Sequence, residues 1–152
     1  MMPSPYPIED VLPQRGAMRL LDAVLHWDDA GIAAVLVVPA DGLFVGPDGV
    51  PAWIGIEYMA QAIAAWSGCR ARREGRPPPL GVLLGSRRYR STRSVFARGE
   101  RLVVQARLDM TAGNGLGLFA CRIEVAGQTC AEATVSVFEP GDPGAYLESG
   151  QA

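Results

Sequence analysis

Hydrophobic and polar residues alternate along the second half of the chain. From position 102 to position 110 every second residue is apolar. A period of two residues is typical of a β-strand that buries one face. The same pattern returns over residues 119–125 and 131–137, with Asn114-Gly115 and Ala126-Gly127 supplying turns between the segments. We therefore predict a meander of three long antiparallel strands.

Residues 51–65, PAWIGIEYMAQAIAA, show a different pattern, because they are apolar on almost every side of a helix. Such a helix is expected to be buried. Its polar residues Glu57 and Gln61 are four positions apart and therefore lie on one face. Burying a carboxylate costs several kcal/mol unless it is paired or neutralised. Glu57 either has a structural explanation, at the helix N-terminus or in solvent, or it has a chemical role.

The remaining segments complete an α+β arrangement. Residues 8–12 form a short helical turn, and two apolar segments between residues 20 and 38 flank a hairpin turn at 28–31. Prolines at 77–79 end the helix and lead into a strand over 80–84. One helix with a sheet of long antiparallel strands can bury that helix if the sheet curls around it.

Length and composition indicate one globular domain spanning residues 1–152, with a loosely ordered tail over 139–152. The 152 residues are 49% hydrophobic and 20% charged, which excludes a disordered chain. No apolar run is long enough for membrane insertion, and residues 1–5 lack a signal-peptide pattern. We therefore predict a cytoplasmic protein.

The three cysteines are odd in number and lack metal-ligand spacing. They are expected to be reduced core thiols, and neither a metal nor a cofactor is predicted. A disulfide between Cys121 and Cys130 is the alternative, if the two face each other across a hairpin.

All fourteen basic residues are arginines, and ten of them lie between positions 70 and 101, where only Glu74 and Glu100 are acidic. This window, which includes Arg87 and Arg88, is either an anion-binding face or a solvated surface whose arginines pair with acids elsewhere. Nucleic acid is not the predicted partner. The net charge is −2, and the window has only Tyr89 and Phe96 as aromatic residues.

Two motifs carry a family resemblance. Residues 55–62, GIEYMAQA, follow a proline-containing loop and resemble the central helix of the 3-hydroxyacyl-acyl carrier protein dehydratases, which have a hotdog fold. Residues 12–22, LPQRGAMRLLD, are similar to the L-P-H-R-x-P-x-L-L-x-D entry of that family into its first strand. A weaker similarity covers residues 81–100. The aryl polyene branch is the more similar one, through Met18 and the pattern E-Y-x-A-Q-A.

The resemblance implies an acid–base pair made of a histidine and the helix glutamate, here Glu57. It also implies that a backbone N–H at the helix start, at Gly55, polarises the thioester oxygen. Residues 42–47, with Leu43 and Phe44, correspond to the substrate-contacting segment of the family that carries its histidine. Leu43 stands where that histidine is expected, and Gln14 replaces the second family histidine.

Three interpretations therefore stay open. The chain is a dehydratase-like enzyme that uses Glu57 on acyl carrier protein or coenzyme A thioesters. Alternatively it is a hotdog thioesterase in which Gln14 or Gln61 orients the carboxylate, or a non-catalytic acyl-binding or partner subunit. The only histidine, His26, is predicted in a strand, where a surface position is usual. The resemblance implies a homodimer, or a heterodimer with a related hotdog subunit, that covers the sheet edge and Trp53.

Overall fold

A computed structural model describes residues 2–3, 6–77 and 82–139. The helices are α1 Ile8–Val11 and α2 Gly55–Arg73, with short 3₁₀ helices at Gly16–Met18 and Ala52–Ile54. The strands are β1 Met2–Pro3, β2 Ala23–Asp28, β3 Gly31–Val37, β4 Val50–Pro51, β5 Val82–Ser91, β6 Val95–Phe96, β7 Arg101–Thr111, β8 Leu116–Val125 and β9 Gln128–Phe138.

The main sheet is antiparallel and has the strand order β1-β2-β3-β7-β8-β9-β5. Strands β7, β8 and β9 form the predicted meander, and β2 and β3 form the predicted hairpin. β5 follows the helix but joins the sheet beside β9, where it forms one edge. The short pair β4 and β6 lies outside this sheet, next to the start of α2.

The sheet curls around α2, which packs against strands β2, β3, β5, β7, β8 and β9. Most of the helix is buried, and the largest apolar side chains that it places in the core are those of Tyr58, Met59, Ile63 and Trp66. They meet the inward-facing residues of the alternating strands, such as Val104 of β7. The predicted α+β architecture, with a buried helix inside a curved antiparallel sheet, is confirmed.

Two elements differ in extent from the prediction. The helix continues eight residues beyond position 65, to Arg73, because Trp66 and Cys69 are buried and its last-turn arginines suit the negative end of the helix dipole. β5 continues to Ser91, past the predicted end at residue 84. No disulfide joins any two of the three cysteines, and all three are buried, so the prediction of core thiols is confirmed and the alternative Cys121–Cys130 disulfide is excluded. The predicted tail lies outside the described residues, apart from Glu139.

Candidate active site at the start of the central helix

Glu57 and Gln61 form a hydrogen-bonded pair on one face of α2, as their spacing predicts. Nε2 of Gln61 lies 3.1 Å from Oε1 of Glu57 and donates to it. The same Nε2 donates to the carbonyl oxygen of Met18 at 2.8 Å, and Oε1 of Gln61 accepts from the N–H of Leu20 at 2.9 Å. Gln61 is completely buried, whereas Glu57 is half-buried in the first turn of the helix. Gln61 therefore joins the helix to the segment before β2 and holds the carboxylate in place.

A largely apolar cavity of about 230 Å³ lies beside this first turn. Its lining includes Tyr58 of α2, Leu36 of β3, Leu20, and the predicted substrate residues Leu43 and Phe44. Glu57 is next to Tyr58 in the chain, and Gln61 is bonded to the backbone of Leu20, so the carboxylate and the cavity share two neighbours. Glu57 and Gln61 do not line the cavity themselves, so the structure places the helix carboxylate next to a cavity wall, at Tyr58, rather than in contact with Leu43 and Phe44.

Tyr89 closes the start of the helix from the side of β5. Its hydroxyl donates a hydrogen bond to the carbonyl oxygen of Ala52, and a Cβ on Gly55 would lie only 2.2 Å from that hydroxyl oxygen. Burial raises the pKa of Tyr89 to about 12, so the phenol keeps its proton at neutral pH and remains a donor. Glycine at position 55 is therefore required by the close approach of Tyr89. The N–H of Gly55 bonds to the carbonyl oxygens of Ala52 and Trp53.

We expect Gly55→Ala to destabilise the protein despite the higher helix propensity of alanine. The added Cβ would overlap Tyr89 Oη and approach Ile123 Cδ1 at 3.0 Å, and overpacking of this kind costs about 1–3 kcal/mol, against about 1 kcal/mol gained from propensity. Urea unfolding measures the change. Adding Tyr89→Phe removes the overlapping oxygen and should restore part of the loss, a coupling that a double-mutant cycle detects. A Gly55→Ala variant more stable than wild type would contradict this account.

The ten arginines between positions 70 and 101 do not form one free face. At the C-terminal end of α2, Arg72, Arg73 and Arg76 form ion pairs with Asp10, Asp29 and Glu74. The hydrogen bond from Arg73 lowers the pKa of Asp29, and that from Arg76 lowers the pKa of Glu74. This end lies about 27 Å along the helix from Gly55, at about 1.5 Å per residue.

Further along the chain, Arg93 and Arg98 form hydrogen bonds to other parts of the protein. Arg93 bonds to Glu100 and lowers the pKa of that carboxyl. Arg98 donates from Nε to Ala40 O at 2.8 Å and from Nη1 to Pro47 O at 2.6 Å, and Nη2 bonds to Gly46 O. Arg98 therefore fixes the loop that carries Leu43 and Phe44.

Arg88 and Arg90 differ from these residues, because both are exposed and no ion pair involves them among the described side chains. They flank Tyr89 at a β-bulge in β5, where Arg88 has a positive φ of 56°. Because Tyr89 contacts the helix start, these two arginines lie at the Glu57 end of the helix. The side chain of Arg87 lies outside the described part of the chain.

His26 and Gln14 are the candidates for the role of the missing family histidines. His26 lies on the other side of the sheet from Glu57, and Gln14 has no hydrogen bond to Glu57 within the described residues. His26 pairs with Ala33 on the outer face of the sheet, since its neighbour Trp27 faces the core. It lines a groove there with Gln105 and Arg122. Oε1 of Gln14 is buried and has no hydrogen-bond partner within the described residues. The chain's one histidine is thus separated from Glu57 by the sheet itself.

The motifs singled out Glu57, Gln61, Leu43 and Phe44, but reasoning from sequence did not find Tyr58 or Tyr89. Tyr58 forms a cavity wall and packs on Phe96, with ring centroids 6.0 Å apart. Burial raises its pKa to about 12. The available signal for Tyr89 is its position between two arginines, but this pattern indicates a charged segment and does not predict a contact with the helix.

This architecture and helix carboxylate are those of a hotdog-fold protein of the dehydratase type. The chain belongs to the ApeP-like dehydratase family: the family model, described as ApeP dehydratase, matches residues 6–148. A chain of the dehydratase heterocomplex ApeI:P from Xenorhabdus doucetiae is 28% identical, with a TM-score of 0.87 over 97% of this chain and 99% of that one.

More distant structures share the fold. A hypothetical thioesterase from Streptococcus pneumoniae, solved with coenzyme A, is 11% identical with a TM-score of 0.61, over 78% of this chain and 85% of that chain. The protein smu.793 from Streptococcus mutans, bound to acetyl coenzyme A, is 14% identical with a TM-score of 0.62, over 86% and 97%. The predicted hotdog fold and the resemblance to the aryl polyene branch are both confirmed.

No helix in the described part of the chain has both the length and the apolar character needed to cross a bilayer.

Proposed function

We propose that this protein is one subunit of a 3-hydroxyacyl-thioester dehydratase and contributes the carboxylate of Glu57 to an active site shared with a histidine-bearing hotdog partner. The observation that carries the proposal is the Glu57–Gln61 pair. A carboxylate is held by a buried amide at the start of an apolar helix, beside a cavity, and the chain's only histidine is on the far face of the sheet.

The reaction explains why one carboxylate needs a second group. Loss of water from a 3-hydroxyacyl thioester breaks the C2–H and C3–O bonds and leaves a 2-enoyl thioester. One group accepts the C2 proton, and another supplies a proton to the departing hydroxide. Glu57 would be one member of this acid–base pair. A histidine from a partner would be the other, in place of Leu43, which cannot transfer protons. Gln61 would act as a positioning residue, because its amide is fully bonded.

The surface around this site supports a partner. Trp53 is 67% exposed in the 3₁₀ helix just before α2, and Leu43 is 59% exposed at the rim of the cavity. β5, whose Tyr89 reaches the same helix start, is an edge strand, and within the described residues no strand pairs with its outer side. Exposed large apolar residues beside an unpaired strand edge favour association with another chain. The relative from Xenorhabdus doucetiae is part of a heterocomplex, so a related hotdog subunit fits this surface.

The test is turnover of 3-hydroxyacyl thioesters by this chain alone and by its complex with a co-expressed hotdog subunit that carries the family histidine. The complex should form enoyl product, and the chain alone should not. Replacing the partner's histidine by alanine should remove the activity of the complex. Full activity of this chain alone would refute the shared site. Hydrolysis of acyl thioesters without dehydration would favour the thioesterase alternative.

We further propose that the substrate arrives as a thioester on an anionic carrier, an acyl carrier protein or coenzyme A, and that Arg88 and Arg90 receive its phosphate or acidic residues. The two exposed arginines lie at the same end of the helix as Glu57 and have no acidic partner among the described residues. Arginine binds phosphate through its planar fork of N–H donors.

Replacing both Arg88 and Arg90 by alanine should raise KM for a carrier-bound substrate about threefold to tenfold at low salt and leave kcat nearly unchanged, since exposed charge pairs contribute about 0.2–1 kcal/mol each. The difference from wild type should shrink as salt increases. Steady-state kinetics across a salt series measure both effects. The matched control replaces Arg72 and Arg76, at the far end of α2, and should leave KM unchanged. Equal KM values for the Arg88/Arg90 variant and wild type would disprove the docking role.

A further inference from the structure

A second cavity, of about 110 Å³, lies between the C-terminal half of α2 and the β7–β8 hairpin, away from Glu57. Its apolar wall comes from Ile63, Trp66, Leu108, Leu116, Phe119 and Val137. The polar and charged side chains in the lining are those of Ser67, Arg70, Thr111 and Glu139. The cavity is therefore mostly apolar, with one cationic side chain, Arg70, and one anionic side chain, Glu139. It shares no lining residue with the cavity beside Glu57.

Arg70 is held on a rigid support. Its Cζ lies 4.6 Å from the centroid of the Trp66 ring, in cation–π contact. The ring is itself fixed from two sides: Nε1 donates to the carbonyl oxygen of Asp28 at 2.8 Å, and Phe119 meets the ring edge to face at 5.4 Å. The guanidinium is thus positioned before any ligand binds, which reduces the entropy lost on binding.

The Nε of Arg70 is buried, and no acceptor in the described chain lies within hydrogen-bonding distance of it. Its neighbours differ in this respect, because Arg73 and Arg76 have carboxylate partners, Asp29 and Glu74. The hydrogen bonds from Arg73 and Arg76 are the main cause of the lowered pKa values of Asp29 and Glu74, and the nearby charge of Arg70 adds to the effect. A buried charged donor without an acceptor is unfavourable, and an anion within hydrogen-bonding distance would supply the missing acceptor.

We propose that this cavity binds a small monocarboxylate, whose carboxylate accepts hydrogen bonds from Arg70 and whose apolar group packs beside Trp66 and Phe119. Volume limits the size of that group. An engineered apolar cavity of about 150 Å³ holds benzene, so this one accepts a branched chain of about four carbons or part of a phenyl ring. Glu139 at the lining disfavours dianions, and the chemical class is a short branched-chain or aryl carboxylic acid.

The test is an NMR titration of the ¹⁵N-labelled full chain with 3-methylbutanoate and with benzoate. Both should shift the indole N–H of Trp66 and the amides of the β7–β8 hairpin, with Kd of about 1 mM or tighter. Benzyl alcohol lacks the charge, and acetate lacks the apolar group. Each should bind at least about tenfold more weakly, the loss expected for one charge-assisted hydrogen bond or one apolar group.

Arg70→Met keeps an unbranched side chain over Trp66 and removes the guanidinium, and it should weaken benzoate binding about tenfold to a hundredfold. Arg101→Met is the matched control on an exposed arginine outside the cavity and should bind like wild type. Thermal unfolding of both variants shows whether they are folded. The proposal is overturned if neither acid binds, if Arg70→Met binds benzoate as wild type does, or if the shifts centre on Tyr58 and Leu43 instead.

Discussion

Glu57→Gln is expected to lower turnover of the active complex about 10²- to 10⁴-fold, the range typical of an acid–base group. The substitution keeps the size of the side chain, and the amide oxygen of the new glutamine can still accept the hydrogen bond from Gln61 Nε2. Only proton transfer is removed. Stability and assembly with the partner should therefore change little, and the loss should be found in kcat for 3-hydroxyacyl thioesters.

Glu132→Gln is the matched control for this experiment. Glu132 lies on the outer face of the sheet, in the groove that also contains His26, and its substitution should leave kcat unchanged. A complex that keeps full turnover with Glu57→Gln would exclude an acid–base role for this residue. In that case the chain would be a non-catalytic partner subunit, and both members of the acid–base pair would come from the other chain.

Gln61→Met should destabilise the protein by about 2–4 kcal/mol, because it removes the partner of two part-buried backbone groups, the carbonyl of Met18 and the N–H of Leu20, at about 1–3 kcal/mol each. Methionine has nearly the same length and keeps the apolar contacts of the site. For a chain of this size each kcal/mol lowers Tm by about 2–4 °C, so the expected decrease in Tm is about 5–15 °C. Thermal unfolding and urea titration both measure it.

Gln105→Met is the corresponding control. Gln105 donates to Glu124 at 2.6 Å on the outer face of the sheet, where water can replace the lost bond, and the expected change is below about 1 kcal/mol. If Gln61→Met proved as stable as wild type, the amide could not be what holds the segment before β2 against the helix. Reduced kcat in a still-folded Gln61→Met complex would indicate that the same amide positions Glu57.

The prediction from sequence was most successful where structure is local. Glu57 and Gln61 share a helix face because they are four residues apart, and the strands of the meander were predicted because their period of two depends only on which face is buried. The predicted helix is too short, since residues 66–73, WSGCRARR, do not continue the nearly all-apolar pattern of residues 51–65. Trp66 is held by Asp28 and Phe119, which are distant in the chain.

The arginine window shows where linear reasoning fails. Ten arginines close in sequence suggest one face, but the helix separates Arg72, Arg73 and Arg76 from Arg88 and Arg90. Arg72 and Arg73 pair with carboxylates from distant segments, Asp10 and Asp29, and Arg76 pairs with the nearby Glu74. Likewise the side of the sheet that His26 faces depends on a bulge between Val24 and His26. An inserted residue reverses the faces of all the positions that follow it, and such an insertion is not visible in the pattern of hydrophobicity.

Four features follow from the sequence alone, because they depend on periodicity and on short motifs. They are the α+β class, the buried helix, the shared helix face of Glu57 and Gln61, and the resemblance to the dehydratase family. Three other features are visible only in the three-dimensional structure. Gln61 is bonded to Met18 and Leu20, Tyr89 closes the helix start, and His26 and Glu57 lie on opposite sides of the sheet. The three hydrogen bonds among them join residues 37 to 43 positions apart. Their geometry follows from how the sheet curls and registers around the helix, which is a property of the whole packed chain.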